Sequence, residues 1–273
     1  MINFNNYIRA IRARGNYTFT FQQAIKELNI SEDSLKCGMY KLKKKGEVVS
    51  PVKGFYIVIP PEYQILGCLP AEELIPLLME HWNIEYYACL LSAALYYGAA
   101  HQKPQVFQVM TIKQLRPLVC GKVRINFLYK KSLTNVPLRK ITVKTGYLHV
   151  STPEATVMDL LMYVHQAGGL NHVATVLSEL IESVDLDKML EILRGSKEKA
   201  WIQRLGYILE HIDPLESEKR DKLIALVFDF LKTQHFGLIP LASELSTIDM
   251  PKNNRNQKNR WNIIENTTIE SDI

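Results

Sequence analysis

The stretch that decides the fold is residues 31–59, which reads SEDSLKCGMYKLKKKGEVVSPVKGFYIVI. Ser31 is a common helix-capping residue, and the two acids that follow it suit the positive end of a helix dipole. Gly46 is placed to end that helix. Residues 47–51 and 54–59 are typical of strands and are separated by a short bend. The stretch therefore predicts a helix followed by a two-stranded hairpin.

Two more helices are predicted upstream, at residues 2–14 and 21–28, because their apolar residues recur at helical spacing. Gly15 can end the first helix, and Thr20 can cap the second. The order of helix, helix, tight turn, helix and hairpin is that of a winged helix-turn-helix. We therefore predict that residues 1–60 form a winged helix-turn-helix DNA-binding domain.

The remaining chain predicts a larger α+β domain. Pro60-Pro61 marks a boundary, so residues 61–273 form the second domain. Its predicted parts are a mixed α/β part at 61–152, a helical part at 153–235, and a loop-rich tail at 236–273 that can end in a last strand. Within the mixed part, the expected helices are 70–80 and 85–97, and the expected strands are 105–111, 123–129, 139–144 and 147–151. The predicted fold class is mixed α/β of the α+β kind.

Charge is distributed unevenly along the chain. Lys and Arg outnumber Asp and Glu by 33 to 28, which gives a net charge of +5. Residues 1–60 carry ten basic and four acidic residues, whereas residues 161–273 carry thirteen and seventeen. A basic N-terminal region in front of a weakly acidic remainder favours nucleic-acid binding, although ordinary surface variation gives the same numbers.

The predicted third helix has one apolar side and one polar side. Leu35, Met39 and Leu42 fall together as a core stripe at about 100° per residue. Long donors and an aromatic residue on the other side suit phosphates and base edges. The alternative is a solvated, lysine-rich helix end, and the acids of the first turn would repel phosphate. The candidate DNA-binding residues are Ser34, Lys36, Cys37, Tyr40, Lys41, Lys43, Lys44 and, at the hairpin bend, Lys53.

A second basic feature is the stretch 103–144, which holds ten Lys or Arg residues and no Asp or Glu. It cannot supply the clustered carboxylates that a metal-dependent nuclease needs. It predicts a face for an anionic partner, unless the lysines are scattered over loops and outer strand faces. The candidate residues of this face are Lys122, Arg124, Lys130, Lys131, Arg139 and Lys140.

Motifs for catalysis and cofactor binding are absent from the sequence. It has no phosphate loop, no GxGxxG, no HExxH and no GxSxG. The four cysteines lack zinc-site spacing and suit a reducing compartment. Neither a signal peptide nor a run of about 20 apolar residues is apparent. We therefore predict a cytoplasmic protein that is no enzyme, with no catalytic residue, metal, cofactor or membrane contact.

Five segments carry a family resemblance, in the same order and over nearly the whole chain. They are 42–49 (LKKKGEVV), 53–56 (KGFY), 86–98 (YYACLLSAALYYG), 151–159 (STPEATVMD) and 260–264 (RWNII). Together they resemble AbiEi, the antitoxin of the AbiE abortive-infection system, a type IV toxin–antitoxin pair of bacterial phage defence.

The resemblance implies a winged-helix head that represses its own operon by binding double-stranded promoter DNA. It also implies a C-terminal domain that counteracts a nucleotidyltransferase toxin encoded beside it. The alternative is a winged-helix regulator whose C-terminal domain senses a ligand or an unrelated partner. A nucleic-acid enzyme with a DNA-binding head is a third option, which the lack of an acid cluster disfavours.

Overall fold

A computed structural model describes residues 4–100, 104–212, 217–243 and 259–269. The chain divides into two compact units that interleave along the sequence. The first takes in the described parts of 1–88, 105–135 and 140–150, and the second those of 89–104, 136–139 and 151–273. Helices and strands both contribute heavily, so the predicted α+β fold class is confirmed. That residues 1–60 form a domain of their own stays a prediction.

The first unit begins with three helices and a small sheet. Their bounds are α1 Phe4–Ala13, β1 Thr18–Thr20, α2 Phe21–Leu28, α3 Glu32–Lys44, β2 Val48–Val52 and β3 Phe55–Val58. The sheet is antiparallel, with the order β1-β3-β2. The three helices and the hairpin lie where the sequence predicts them. Strand β1 was not predicted, because three residues are too few to show an alternating pattern.

Helices α2 and α3 begin at side-chain caps. The Thr20 hydroxyl accepts from the Gln23 amide at 3.2 Å, and the Gln23 side chain accepts from the Thr20 amide at 2.7 Å, which completes a capping box. The Ser31 hydroxyl accepts from the Ser34 amide at 3.3 Å. The predicted stripe of α3 is buried: Leu35 is 0% exposed, and Met39 and Leu42 are each 2% exposed. The predicted phase of α3 is therefore confirmed.

Truncation of Leu42 should destabilise this region. Because the side chain is buried, we expect Leu42→Ala to lower the free energy of unfolding by about 2–5 kcal/mol. Lys45→Ala, at an exposed position just after the same helix, should change it by less than about 0.5 kcal/mol. Urea unfolding followed by circular dichroism measures both variants. Equal effects of the two substitutions would contradict the observed packing.

A six-stranded sheet follows, with the order β6-β7-β5-β4-β9-β8. Its strands are β4 Tyr86–Ala88, β5 Phe107–Thr111, β6 Leu118–Cys120, β7 Val123–Tyr129, β8 Leu138–Val143 and β9 Gly146–Ser151. Strands β5 and β7 are parallel, as are β4 and β9, whereas β6 with β7 and β4 with β5 are antiparallel. Helix α4 (Ala71–Trp82) packs on β7, where the Trp82 and Phe127 rings meet edge to face at 6.1 Å. The sheet core therefore lies under α4.

The predicted helix at 85–97 is wrong in its first part. Tyr86–Ala88 is strand β4, and the helix α5 covers only Leu90–Ala94, followed by a short 3-10 helix at Leu95–Tyr97. The strand is buried throughout and lies between β5 and β9. A short apolar run has the same appearance in a buried strand as in a buried helix, so its periodicity could not decide between them.

The second unit is mainly helical, as predicted. After α5, its helices are α6 Pro153–Met162, α7 Leu170–Leu180, α8 Leu186–Gly195, α9 Ala200–His211 and α10 Glu218–Lys232. Thr152 caps α6 by accepting from the Ala155 amide at 3.4 Å, and Pro153 occupies its first position. Two short parallel strands, β10 Ile239–Pro240 and β11 Ile263–Ile264, lie in the tail, the second within the stretch expected as a last strand. Residues 244–258 of the predicted loop-rich tail lie outside the described residues.

Candidate functional site

Helix α3 presents a polar face to solvent. The candidates on this helix are all exposed: Ser34, Lys36, Cys37, Tyr40, Lys41, Lys43 and Lys44. Tyr40 is 68% exposed, which is unusual for a large aromatic side chain. The buried stripe on the opposite side fixes the orientation of the helix. Side chains that were predicted to face DNA therefore do point away from the core.

Acidic residues in the first turn of α3 neutralise the positive charge of one of its lysines. The Lys36 ammonium lies 3.2 Å from the Asp33 carboxylate and 3.7 Å from that of Glu32. The hydrogen bond to Asp33 is the main reason that the pKa of Lys36 is raised, and both carboxylates add to the shift. Lys41 and Lys44 lie in the last turn, beyond both acids. The positive charge of this face is therefore concentrated toward the C-terminal end of α3.

The β2–β3 turn is held against the start of α2. The Phe21 amide donates to the Gly54 carbonyl oxygen at 2.8 Å, and Gly54 has a φ of +80°. That conformation favours glycine. Lys53 precedes it and is exposed. The candidate wing lysine is thus held near α2 and α3 by a backbone hydrogen bond.

A groove of about 590 Å³ lies between the starts of α2 and α3 and the β2–β3 turn. It brings together Lys36 and Lys53, which the sequence could only propose separately. Its wall includes Thr20, Phe21, Gln22 and Glu32. Gln22 is exposed and offers an amide donor, but it was not among the candidates. No sequence pattern points to it, because its position in the groove depends on the contact between Phe21 and Gly54.

Lys43 occupies a different place on α3. Its ammonium lies 5.1 Å from the centre of the Tyr56 ring, in a cation–π contact. Tyr56 belongs to β3 and is buried, and this burial raises its pKa. Lys43 therefore contacts the hairpin itself, whereas Lys41 and Lys44 have no such contact among the described residues.

The six basic candidates of the stretch 103–144 are not gathered into one face. Lys122 and Arg124 lie at the start of β7, and Lys130 and Lys131 lie just past its end. Strand β7 has seven residues, so the two pairs are about 20 Å apart. Three strands separate β7 from β8, which carries the remaining candidates, Arg139 and Lys140.

Lys130 differs from its neighbours because it is half-buried. Its ammonium donates to the Tyr87 hydroxyl at 3.2 Å, and Tyr87 is 0% exposed. This contact holds the side chain within the first unit. Lys131, the next residue, is exposed. Lys130 therefore has a structural role, whereas the other five candidates are all exposed and free to meet a partner.

Strand β8 combines positive charge with exposed apolar side chains. The Lys140 ammonium lies 6.0 Å from the Tyr147 ring centre, and Tyr147 of β9 is 61% exposed. Burial, followed by the charge of Lys140, lowers the pKa of His149, so this imidazole is neutral at pH 7. Strand β8 is the last strand in the order of the described sheet. Its outer backbone groups therefore face no further strand of that sheet.

The segment 151–159 has a structural role at the start of α6. The Ser151 and Thr156 hydroxyls lie 2.7 Å apart, and both residues are fully buried. The Glu154 carboxylate accepts from the Asp185 amide at 2.8 Å, which ties α6 to the start of α8. These polar groups connect elements within the second unit, and their hydrogen bonds leave no exposed reactive group.

The described part of the chain has neither a metal site nor a membrane-spanning helix. No group of three or more His, Cys, Asp or Glu residues there could hold a metal ion. None of the described helices is long and apolar enough to cross a membrane.

Comparisons with known proteins agree with this organisation. The chain is similar to a solved structure, the crystal structure of RV2827C protein from Mycobacterium tuberculosis, with 16% sequence identity and a TM-score of 0.65. The similarity covers 94% of this chain and 89% of that one, and at this identity it shows the fold alone. A search of curated proteins gives no match. Residues 86–211, however, match the family model of the AbiEi antitoxin C-terminal domain, and this match supports an AbiEi family antitoxin.

Proposed function

We propose that this antitoxin has two functions located in different parts of the chain. Residues 1–60 are a winged helix-turn-helix that binds double-stranded promoter DNA and represses its own operon. Residues 61–273 counteract a nucleotidyltransferase toxin encoded beside it, in a type IV toxin–antitoxin system. Both functions are carried out in the cytoplasm, where the DNA and the toxin are found. The protein acts by binding and has no catalytic role.

The observation that carries the DNA-binding proposal is the exposed polar face of α3 beside the β2–β3 turn. The elements α1, β1, α2, α3, β2 and β3 follow one another in the order of a winged helix-turn-helix. Exposed lysines on α3 and at the turn offer donors for phosphate oxygens, and Tyr40 can lie against a sugar or a thymine methyl group.

The acids of α3 restrict how this face can meet DNA. Glu32 and Asp33 lie in the first turn, where they would repel phosphate or accept from a cytosine amino group. Because these acids also neutralise the charge of Lys36, the strongest phosphate contacts should come from Lys41, Lys44 and Lys53. The phosphate backbone should therefore run along the C-terminal half of α3 and over the β2–β3 turn.

Salt dependence of promoter binding tests this proposal. With about four to six phosphate contacts per head, the slope of log K against log salt concentration should be about −4 to −5. Lys44→Ala should reduce that slope by about one and weaken binding to every DNA sequence. Tyr40→Ala should also reduce discrimination between promoter and random DNA. Titration of labelled promoter DNA at several salt concentrations measures all three.

The control for this experiment is Lys188→Ala. Lys188 is an exposed lysine on α8, outside the proposed winged helix, so its loss makes the same charge change. We expect it to leave promoter affinity and slope unchanged. A promoter affinity that is indifferent to salt, or equal in Lys44→Ala and Lys188→Ala, would contradict DNA binding through α3.

A further inference from the structure

Two buried cysteines lie side by side in the first unit. Cys68 is 0% exposed and Cys120 is 3% exposed, and both are reduced. They lie close enough for each cysteine to shift the pKa of the other. Cys68 follows the exposed turn at residues 64–67, whereas Cys120 ends strand β6. The fold thus brings together two thiols that are separated in the sequence by the 51 residues 69–119.

The backbone holds these two segments in close contact. The Lys122 amide donates to the Leu66 carbonyl oxygen at 2.8 Å. Gly121 has a φ of +58°, and a Cβ there would overlap the Leu66 oxygen and come within 2.7 Å of the Gly67 carbonyl carbon. Glycine is therefore required at Gly121 for the segments to approach. The cysteines are the residues next to this contact, one on each strand of chain.

We propose that Cys68 and Cys120 are a peroxide-sensitive thiol pair that closes to an intramolecular disulfide. The Cys120 thiolate attacks one oxygen of a hydroperoxide, the O–O bond breaks, and an alcohol or water leaves. This step produces a sulfenic acid on Cys120. The Cys68 sulfur then attacks the Cys120 sulfur, the S–O bond breaks, and the hydroxide leaves as water with the Cys68 proton. The two thiols supply the two electrons that reduce the peroxide.

The surroundings of the two cysteines give their sulfurs different roles in the reaction. The neighbouring Cys68 thiol lowers the pKa of Cys120. The neighbouring Cys120 sulfur, together with burial, raises the pKa of Cys68. Cys120 is thus the attacking thiol and Cys68 the resolving one. Only a small oxidant suits the site, because Cys68 and Cys120 are both buried.

Closure would tie the segment that follows the proposed winged helix to the β6–β7 turn. The bond would close a loop of about 50 residues and restrict the unfolded chain. We therefore expect oxidation to raise the thermal midpoint of the first unit by about 5 °C or more. Cysteine pairs of this kind in reducing compartments act as redox sensors rather than as permanent staples.

Peptide mapping of the full chain tests the proposal. Cys37→Ser removes the exposed thiol on α3, which would otherwise link two molecules. After treatment with hydrogen peroxide and alkylation of the remaining thiols, mass spectrometry should find a peptide that joins Cys68 to Cys120, in a protein whose size is the same as before treatment. In a Cys37→Ser/Cys68→Ser variant, dimedone should trap a sulfenic acid on Cys120. The proposal would be overturned if Cys68 and Cys120 were both still free thiols that alkylate after a peroxide treatment strong enough to oxidise Cys37 in the unaltered chain.

A glycine comparison shows whether the close contact is responsible. Gly121→Ala should push the two segments apart and slow formation of the bond by about tenfold or more. Gly15→Ala is the matched control, since Gly15 has a φ of +71° but no described atom lies within 4 Å of its Cβ position. The control should leave the rate unchanged. Equal rates in the two variants, both shown to be folded by circular dichroism, would overturn the proposed geometry.

Discussion

Replacement of Arg139 and Lys140 by glutamate should abolish protection against the toxin, whereas the same change at Lys122 and Arg124 should leave protection intact. Both double variants alter the net charge equally and place the changes on exposed parts of the six-stranded sheet. Lys140 of β8 lies beside the exposed aromatic side chain of Tyr147 on β9, whereas the residue paired with Arg124 is the aliphatic Val119. Arginine and tyrosine are frequent among the residues that dominate binding energy. Charge reversal there should cost about 2 kcal/mol or more, roughly a 30-fold weaker complex with an acidic partner surface.

The measurement must separate protection from repression. Each variant is co-expressed with the neighbouring toxin from an unrelated promoter, and growth is compared with that of cells that carry the unaltered antitoxin. Promoter affinity of both variants should stay at its unaltered value, because the changed residues lie outside residues 1–60. Equal loss of protection at Lys122/Arg124 would contradict a specific role of β8, provided that thermal unfolding shows both variants to be folded. Full protection by the Arg139/Lys140 variant would show that β8 has no part in protection.

The N-terminal helices were predictable because their signals are local. Leu35, Met39 and Leu42 recur at helical spacing, and Ser31 and Gly46 mark the ends of the third helix. Each of these signals depends on residues within four positions of one another. The core of α3 and its exposed candidates could therefore be assigned from the sequence. Strand β1 could not, because it is defined by pairing with β3, about 37 residues later in the chain.

Non-local contacts account for the other differences between expectation and structure. The basic candidates at 122–140 are neighbours in sequence, but the order of the strands carries β8 to one end of the sheet and β7 to the other side. Cys68 and Cys120 show the opposite case, because they are far apart in the sequence and form no spacing motif, and yet they lie close together in the fold. Residue order shows which chemistry is available, whereas strand order decides which residues share a surface.

The tail segment 260–264 provides the last test, since it matches the family resemblance and is also well packed. Trp261 is 0% exposed, and a Cβ on Gly206 of α9 would overlap its ring. The indole N–H donates to the Glu210 carboxylate, and the Gln203 amide donates to the Trp261 carbonyl oxygen at 2.9 Å. The helix α9 and the tail therefore depend on each other within the second unit.

We expect Trp261→Ala to lower the free energy of unfolding of the second unit by about 3–5 kcal/mol, because it removes a large buried ring and its hydrogen bond to the Glu210 carboxylate. Gly206→Ala should also destabilise this unit, because the ring must move, whereas Gly195→Ala, at the end of α8, should change little because no described atom lies within 4 Å of its Cβ position. Urea unfolding of the full chain gives the three values. A loss below about 1 kcal/mol for Trp261→Ala would show that the tail does not stabilise α9. Protection that persists in folded Trp261→Ala, at temperatures well below its unfolding midpoint, would then assign the segment 260–264 to stability, because loss of a residue that acts directly in protection would abolish protection at every temperature.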